Sequence, residues 1–210
     1  LCETTNRALR LGLFFGIPSG LALMLLSDEM VKLIYQRGTF TAADTERGAL
    51  VLRMYCLGMW AYFCNQILLR AFFSIKHTRE SLRIAMVLVV VNTILVVGGM
   101  YTPLKVSAVG LATAITAGAN TLLLSWKLHG LFGELGVRRI LASLLKILLA
   151  SAAMGGAMWW VGRYTLFGTN TTGRILHLGL TCITGVGVYF FATLLLGCVE
   201  LGELRNRKAE

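Results

Sequence analysis

LFFGIPSGLALMLLSDEMVKLIYQRGTFTAADT, residues 13–45, joins an apolar run that contains a proline to a short amphipathic piece and a polar turn. A glycine precedes this stretch, so Gly12, Gly16 and Gly20 are spaced four residues apart and share one face of a helix. Small residues at this spacing let a second transmembrane helix approach closely. The first half of the stretch therefore predicts a membrane span with a close-packing face.

Pro18 lies inside this predicted span and removes one backbone hydrogen bond from the helix. We expect the helix to bend there, and we expect Ser19 or a neighbouring helix to satisfy the freed carbonyl. One interpretation is a packing face with a proline kink. The other is a hinge beside the pathway of a transporter, where interrupted spans are common.

The second half of the stretch predicts a short helix at the membrane surface followed by a tight turn. Ser27 is a suitable N-cap, and the two acids that follow it favour the first turn of a helix. Apolar residues then share one face, which predicts a surface helix over residues 28–36 that ends at a Gly38 C-cap. Thr41 and Asp44 fit a capping box, which predicts the start of the next long helix.

The composition indicates an all-α, polytopic membrane protein. Of the 210 residues, 56% are hydrophobic and only 14% are charged, and the mean hydropathy is +0.72. These values are typical of a chain whose helices lie in a bilayer. The sequence predicts six transmembrane helices, in residues 9–26, 49–73, 84–100, 106–126, 140–161 and 175–199.

The net charge of +10 could suggest a nucleic-acid partner, but its distribution argues against one. If the N-terminus is placed in the cytoplasm, Lys and Arg are more frequent in the segments on the cytoplasmic side than in those on the outer side. This bias follows the positive-inside rule and predicts that both termini are cytoplasmic. The basic residues therefore report topology first, and membrane lipids with anionic head groups are their natural partners.

Polar side chains are concentrated in the second, third and fourth predicted spans. Two arginines lie near span ends, from which they could reach the interface, whereas the amides lie deeper and must face protein or a polar cavity. Interhelical hydrogen bonding and cavity lining are both open for them. The candidate cavity residues are Arg53, Asn65, Arg70, Asn92 and Asn120. The fourth span also repeats the small-residue ladder, at Gly110, Ala114 and Gly118.

Signatures of catalysis are missing, which disfavours an enzyme. The sequence contains no phosphate-binding loop, nucleophile elbow or zinc-protease motif, and all ten acids lie outside the spans or at their ends. None of the five cysteines forms a C-x-x-C pair, so we expect neither a disulfide framework, a metal site nor a cofactor. The chain opens with Leu1 directly before a span, as if it began within a larger protein.

Several segments together resemble the MurJ/MviN lipid II flippase family. The resemblance begins with Ile17-Pro18-Ser19 and with the turn that contains Gln36, Arg37, Gly38 and Phe40. It extends along the whole chain, through Tyr55-x-x-Gly58, Arg70-Ala71-Phe72-Phe73, Pro103-Leu104-Lys105, Gly110-Leu111-Ala112-Thr113 and Asn120. One departure is the turn before the third span, where His77 and Ser81 replace an acid and a proline that the family often has.

The resemblance implies a fold of fourteen helices, in two pseudo-symmetric lobes of six plus two more. Residues 1–130 would supply four helices of the second lobe, and residues 131–210 the two appended helices and a basic tail. The family flips lipid II across the bacterial inner membrane by alternating access, with its head group in a cationic cavity and its tail in an apolar groove. The first lobe would then belong to the same or another chain.

Two other functions remain open. The chain could resemble an exporter of other lipid-linked sugars or of drugs from the same superfamily, although the turn from Gln36 to Phe40 favours the flippase. It could also be a membrane scaffold, or a degenerate fragment, that transports nothing. In that case, substitutions in the cavity would leave cell-wall synthesis unchanged.

Overall fold

A computed structural model describes residues 2–35, 41–102, 106–132, 137–164 and 171–197. In these ranges the chain forms seven α-helices: α1 (Cys2–Tyr35), α2 (Ala42–Cys56), α3 (Met59–Ser74), α4 (Thr78–Met100), α5 (Ser107–Phe132), α6 (Val137–Tyr164) and α7 (Thr171–Leu195). Five of them, α1 and α4 to α7, are long and apolar enough to cross a membrane. The predicted all-helical membrane architecture is confirmed.

Helix α1 is continuous, and the predicted surface helix over residues 28–36 is wrong as a separate element. Ser27 does not cap a helix, because its hydroxyl donates to the Met24 carbonyl at 2.9 Å inside α1 and also accepts a hydrogen bond from Arg53 at 2.9 Å. A contact with a distant residue therefore overrides the local capping pattern. The helix packs against α2, α3, α6 and α7 and is the central element of the bundle.

The predicted span over residues 49–73 is divided into α2 and α3. Helix α2 begins with the expected capping box, in which the Asp44 amide donates to Thr41 Oγ1 at 3.3 Å and the Thr41 amide donates to Asp44 Oδ2 at 3.1 Å. The hydroxyl and amide of Thr41 hold the pKa of the Asp44 carboxyl below its ordinary value. The helix ends at Cys56, and α3 starts at Met59 after a short turn.

Gly58 explains why the chain breaks there. A Cβ on Gly58 would lie 2.8 Å from the Ala114 Cα atom, so the absence of a side chain lets α5 pack into the turn. Both half-helices contact α5. The break is therefore packed against a helix that is distant in the sequence.

The core is built around α1, α3, α5 and α6, whereas α4 lies at the edge. Phe14, Leu68, Phe72, Leu124 and Ile147 are fully buried. By contrast, none of the most apolar part of α4 is buried, and this helix packs mainly against α5. The turn residues Gln36, Arg37, Gly38 and Phe40, including the predicted Gly38 cap, lie outside the described residues.

Candidate functional site

Three of the predicted cavity residues line one cleft between α3, α4 and α5. This polar cleft has a volume of about 340 Å³. Its hydrogen-bonding side chains are Tyr62, Asn65, Asn92, Thr93, Thr113, Thr116 and Asn120. Its lining is neutral, so it offers hydrogen-bond donors and acceptors rather than charge.

Hydrogen bonds between helices hold two of the three asparagines in place. Asn65 donates to the Ala117 carbonyl at 3.3 Å and accepts from the Thr121 hydroxyl at 3.0 Å. Asn92 donates to Thr116 Oγ1 at 2.9 Å, which ties α4 to α5. These two amides therefore join helices and line the cleft at the same time.

Asn120 differs from the other two asparagines. Its Oδ1 atom is buried and has no hydrogen-bond partner in the part of the chain that the structure describes. A buried carbonyl without a partner costs free energy, so such a group is well suited to a donor from a ligand or from another segment. Asn120 is the strongest ligand-binding candidate in the polar cleft.

The two predicted arginines lie away from the polar cleft. Arg53, on α2, donates from Nε to Ser27 Oγ at 2.9 Å, and its guanidinium forms an ion pair with Asp28. It therefore ties α2 to α1. Arg70 is exposed near the end of α3. The structure brings the asparagines together and leaves both arginines outside their cleft.

The glycine ladder of α1 faces the broken helix. A Cβ on Gly16 would lie 3.0 Å from the Trp60 Cα atom, and a Cβ on Gly20 would lie 2.9 Å from the Cys56 carbonyl oxygen. At Gly12 the nearest atom is the flexible end of Ile67, at 2.7 Å. The face therefore meets α3 and the end of α2 at backbone distance.

The glycines of α5 differ from one another. A Cβ on Gly110 would lie 3.0 Å from the Val51 carbonyl oxygen, whereas one on Gly118 would make only an ordinary contact of 3.7 Å with Trp60. Gly110 thus sits at a close approach of α5 to α2. Gly118 does not sit at such an approach.

Pro18 has a partner that the sequence did not single out. The carbonyl that a proline at position 18 leaves free is that of Phe14. Tyr189, on α7, donates its hydroxyl to the Phe14 carbonyl at 2.7 Å in a buried contact. A neighbouring helix, not Ser19, therefore satisfies the freed group. In the sequence, Pro18 indicates that a carbonyl needs a donor, but it does not indicate that Tyr189 is that donor.

A second cleft, between α1, α6 and α7, is apolar. This apolar cleft has a volume of about 170 Å³ and is lined by Phe15, Pro18, Met154, Met158, Val186 and Phe190, among others. It lies on a different face of α1 from the glycine face, which meets α3. The bundle therefore keeps its polar and apolar clefts apart.

Comparison with known proteins gives consistent matches. The profile of the family described as "Lipid II flippase MurJ" matches residues 1–178. A probable lipid II flippase MurJ of Rhizobium tropici is 30% identical over 208 residues, which cover 96% of this chain and 38% of that protein. One of Rickettsia prowazekii is 30% identical over 201 residues, covering 93% of this chain and 39% of that protein.

A solved structure agrees with the sequence matches. The lipid II flippase MurJ in its inward closed conformation superposes with a TM-score of 0.72 at 27% identity. The match covers 91% of this chain and 38% of that one. The chain thus spans about two fifths of the length of the proteins that it matches.

Proposed function

Because the chain belongs to the MurJ family of lipid II flippases, we propose that it is the C-terminal part of a transporter that flips lipid II from the cytoplasmic to the outer leaflet. Residues 1–130 supply four helical spans of the second lobe, one of which is divided into α2 and α3, and residues 131–210 supply two appended helices and a tail. The first lobe lies in the same or another chain. Translocation proceeds by alternating access and involves no covalent chemistry.

The separation of polar and apolar surfaces within one bundle supports this function. A lipid-linked precursor carries a polar head group and a long hydrocarbon tail, so its carrier must offer both environments. The polar cleft lies among α3, α4 and α5. Helices α6 and α7 expose apolar side chains such as Leu145 and Ile183, which are 64% and 72% exposed. The tail lies along this surface while the head group crosses.

Within the polar cleft, the asparagines have distinct roles. Asn120 contacts the head group through its unpaired Oδ1 atom. Asn65 and Asn92 shape the cleft by joining helices. A pyrophosphate also requires positive charge, which arginine supplies through several planar donors. Because the described polar cleft is neutral, this charge comes from the first lobe, with Arg70 at the edge of the pathway.

The charge distribution supports a location in the bacterial inner membrane with both termini in the cytoplasm. The turn between α3 and α4 and the end of α5 carry basic residues, and Lys127 forms an ion pair with Glu80 at 3.5 Å across these two elements. Cytoplasmic precursor would enter from this side. It would leave at the end where α4 finishes and α5 begins.

The substitution Asn120→Leu in the full protein tests this proposal. Leucine has the same branching pattern but cannot hydrogen-bond, so we expect flipping to fall about tenfold, as for the loss of one buried polar contact. Flipping is measured as the accessibility of lipid II to a cleaving enzyme that is added outside the cells. Thr184→Val is the control, because the Thr184 hydroxyl bonds to Leu180 within its own helix and valine keeps the apolar surface of α7.

The assay also separates the alternatives. Normal lipid II flipping by a well-expressed Asn120→Leu variant would remove Asn120 from the pathway. Flipping of another lipid-linked sugar but not of lipid II, by the unmodified protein, would favour the related exporter. The absence of any flipping, with normal cell-wall synthesis in cells that lack the protein, would favour a scaffold.

A further inference from the structure

A third cavity lies between the C-terminal parts of α1 and α6 and the N-terminal part of α7. Its volume is about 340 Å³, and we call it the charged cavity. The side chains that give it its character are Asp28 and Glu29 from α1, Trp159 and Arg163 from α6, and His177 and Thr181 from α7. It therefore combines acidic, basic and aromatic groups, and none of them belongs to the polar cleft.

The charged cavity continues the apolar cleft along the bundle axis. The same three helices line both, and Met158 lines both. On α1, Glu29 follows the apolar-cleft residue Ala22 by about 10 Å of helix, at the usual rise per residue. On the antiparallel α7, Thr181 precedes Gly185 by about one turn. A ligand with a polar head and an apolar chain would fit these two adjoining spaces.

Opposite charges around the cavity lie on different helices, with the carboxylates on α1 and Arg163 on α6. Asp28 is already balanced by Arg53. Glu29 contacts Lys32 at 3.4 Å within α1, and both ion pairs are more than a third exposed and hence weak. Arg163 lies over the ring of Trp159 at 5.4 Å. Among the described residues, no ion pair joins Glu29 to Arg163, so the two remain available at separate walls.

These observations indicate which charges a ligand of this cavity carries. A simple anion would meet the carboxylates of α1, and a simple cation would meet Arg163. A zwitterion that carries an ammonium and a phosphate matches both walls, through hydrogen-bonded contacts that charge strengthens. Trp159 and the nearby Trp160 and Tyr164 are aromatic residues of the kind that lie at the level of lipid head groups.

We propose that the charged cavity binds the phosphoethanolamine head group of a bilayer phospholipid. The ammonium contacts Glu29, the phosphate contacts Arg163, and one acyl chain enters the apolar cleft. This lipid is a structural ligand that fills the space between α1, α6 and α7. It is distinct from the transported substrate, whose head group occupies the polar cleft.

The test measures lipid binding to the purified, delipidated full protein by mass spectrometry of the intact complexes. The probes are dioleoyl phosphatidylethanolamine and dioleoyl phosphatidylglycerol, which share acyl chains but differ in the ammonium. We expect a preference of about fivefold or more for the first, as for one partly exposed charge contact. Glu29→Gln should abolish this preference, and Arg163→Gln should weaken the binding of both lipids.

Lys32→Gln is the matched control for Glu29→Gln. It breaks the same ion pair but keeps the carboxylate, so the preference should persist. A second comparison needs no variant: phosphatidylcholine, whose methylated ammonium cannot donate a hydrogen bond, should bind the unmodified protein more weakly than phosphatidylethanolamine. This comparison decides the matter even if Glu29→Gln fails to fold.

Three results would overturn the proposal. The first is equal binding of the ethanolamine and glycerol lipids by the unmodified protein. The second is an unchanged preference in a folded Glu29→Gln variant. The third is competition by soluble glycerophosphoethanolamine as strong as that by the lipid, which would mean that the acyl chain contributes nothing and that the ligand is not a membrane lipid.

Discussion

Tyr189 donates the hydrogen bond that Pro18 removes from α1. The Phe14 carbonyl accepts it at 2.7 Å, and both Phe14 and Tyr189 are buried. In a membrane, a backbone carbonyl without a donor costs more than it does in water, because no solvent replaces the lost bond. A single hydroxyl therefore lets α1 keep a proline and also fixes the position of α7 against it.

The substitution Tyr189→Phe should lower the free energy of unfolding by about 1–3 kcal/mol, since it leaves the buried Phe14 carbonyl without a donor. In a Pro18→Ala background the same change should cost much less, because the new backbone N–H at position 18 can donate to that carbonyl. Thermal unfolding in detergent measures all four proteins. Additive effects of the two substitutions would show that Tyr189 and Pro18 are not coupled.

Arg53 and Arg70 form a natural pair for a second test, because one is bonded to another helix and the other is exposed. Arg53→Ala should reduce stability by about 1 kcal/mol, since Asp28 would lose its partner at a half-buried site. Arg70→Ala should change it by less than about 0.5 kcal/mol, as is usual for exposed sites. The comparison uses melting temperatures of the two purified variants.

The combination with Asp28→Asn checks the cause of the Arg53 effect. If the ion pair is responsible, Arg53→Ala should destabilise the Asp28→Asn protein less than the unmodified one. An equal loss in both backgrounds would instead assign the effect to the hydrogen bond with Ser27 or to the packing of the arginine stem.

At the scale of whole helices, glycine decides which pairs approach each other closely. Helix α1 meets the junction of α2 and α3 through Gly16 and Gly20. Helix α5 meets α2 through Gly110, and the junction itself meets α5 through Gly58. Every one of these contacts brings a glycine against the backbone of a second helix. The broken helix is therefore clamped between α1 and α5, and its two halves cannot shift without disturbing both.

Gly20→Ala should destabilise the protein by about 1–2 kcal/mol, because its Cβ would lie 2.9 Å from the rigid Cys56 carbonyl oxygen. Gly156→Ala is the matched control. It lies within α6 and has nothing within 4 Å of the added carbon, so we expect no loss and a gain of at most about 1 kcal/mol from helix propensity. The melting temperatures of the two variants are compared in detergent. Equal stabilities would contradict the idea that close packing of α1 against the broken helix requires a glycine at position 20.

The elements that follow from local sequence could be predicted, and those that depend on distant partners could not. Periodicity and apolar length locate α4 to α7, and the capping box locates the start of α2. Gly58 sits in an apolar run much as Gly110 does, so only its contact with Ala114 reveals the break. Ser27 resembles an N-cap until Arg53, far along the chain, occupies its hydroxyl.

The residues of the polar cleft could be predicted from the sequence, but their hydrogen-bond partners could not. Amides deep in apolar spans must face protein or a cavity, and this rule identified Asn65, Asn92 and Asn120, which the structure gathers in one cleft. The rule does not say which side chain keeps a free acceptor. That depends on which neighbours of each amide carry donors: the Thr121 hydroxyl donates to Asn65 Oδ1, whereas among the described residues Asn120 Oδ1 has no such donor.

At the scale of the whole molecule, the positions of the basic residues predict how the bundle is oriented across the membrane. Lys76, Arg79 and Arg83 surround the α3–α4 turn, and Lys127 lies beside it through its ion pair with Glu80. Helix α4 then runs for 23 residues to Met100. At the usual rise this is about 35 Å, enough to cross the hydrocarbon core. The two ends of α4 should therefore face opposite sides of the membrane.

Single cysteines at His77 and Thr102, in a protein whose native cysteines are replaced, test this direction. The positive-inside rule predicts that a membrane-impermeant maleimide labels position 102 in intact cells, and position 77 only after the membrane is opened. Both positions are exposed, so side-chain access alone cannot produce the difference. The opposite pattern would invert the bundle and place the charged cavity at the cytoplasmic surface, whereas labelling of both positions in intact cells would mean that α4 does not cross the membrane.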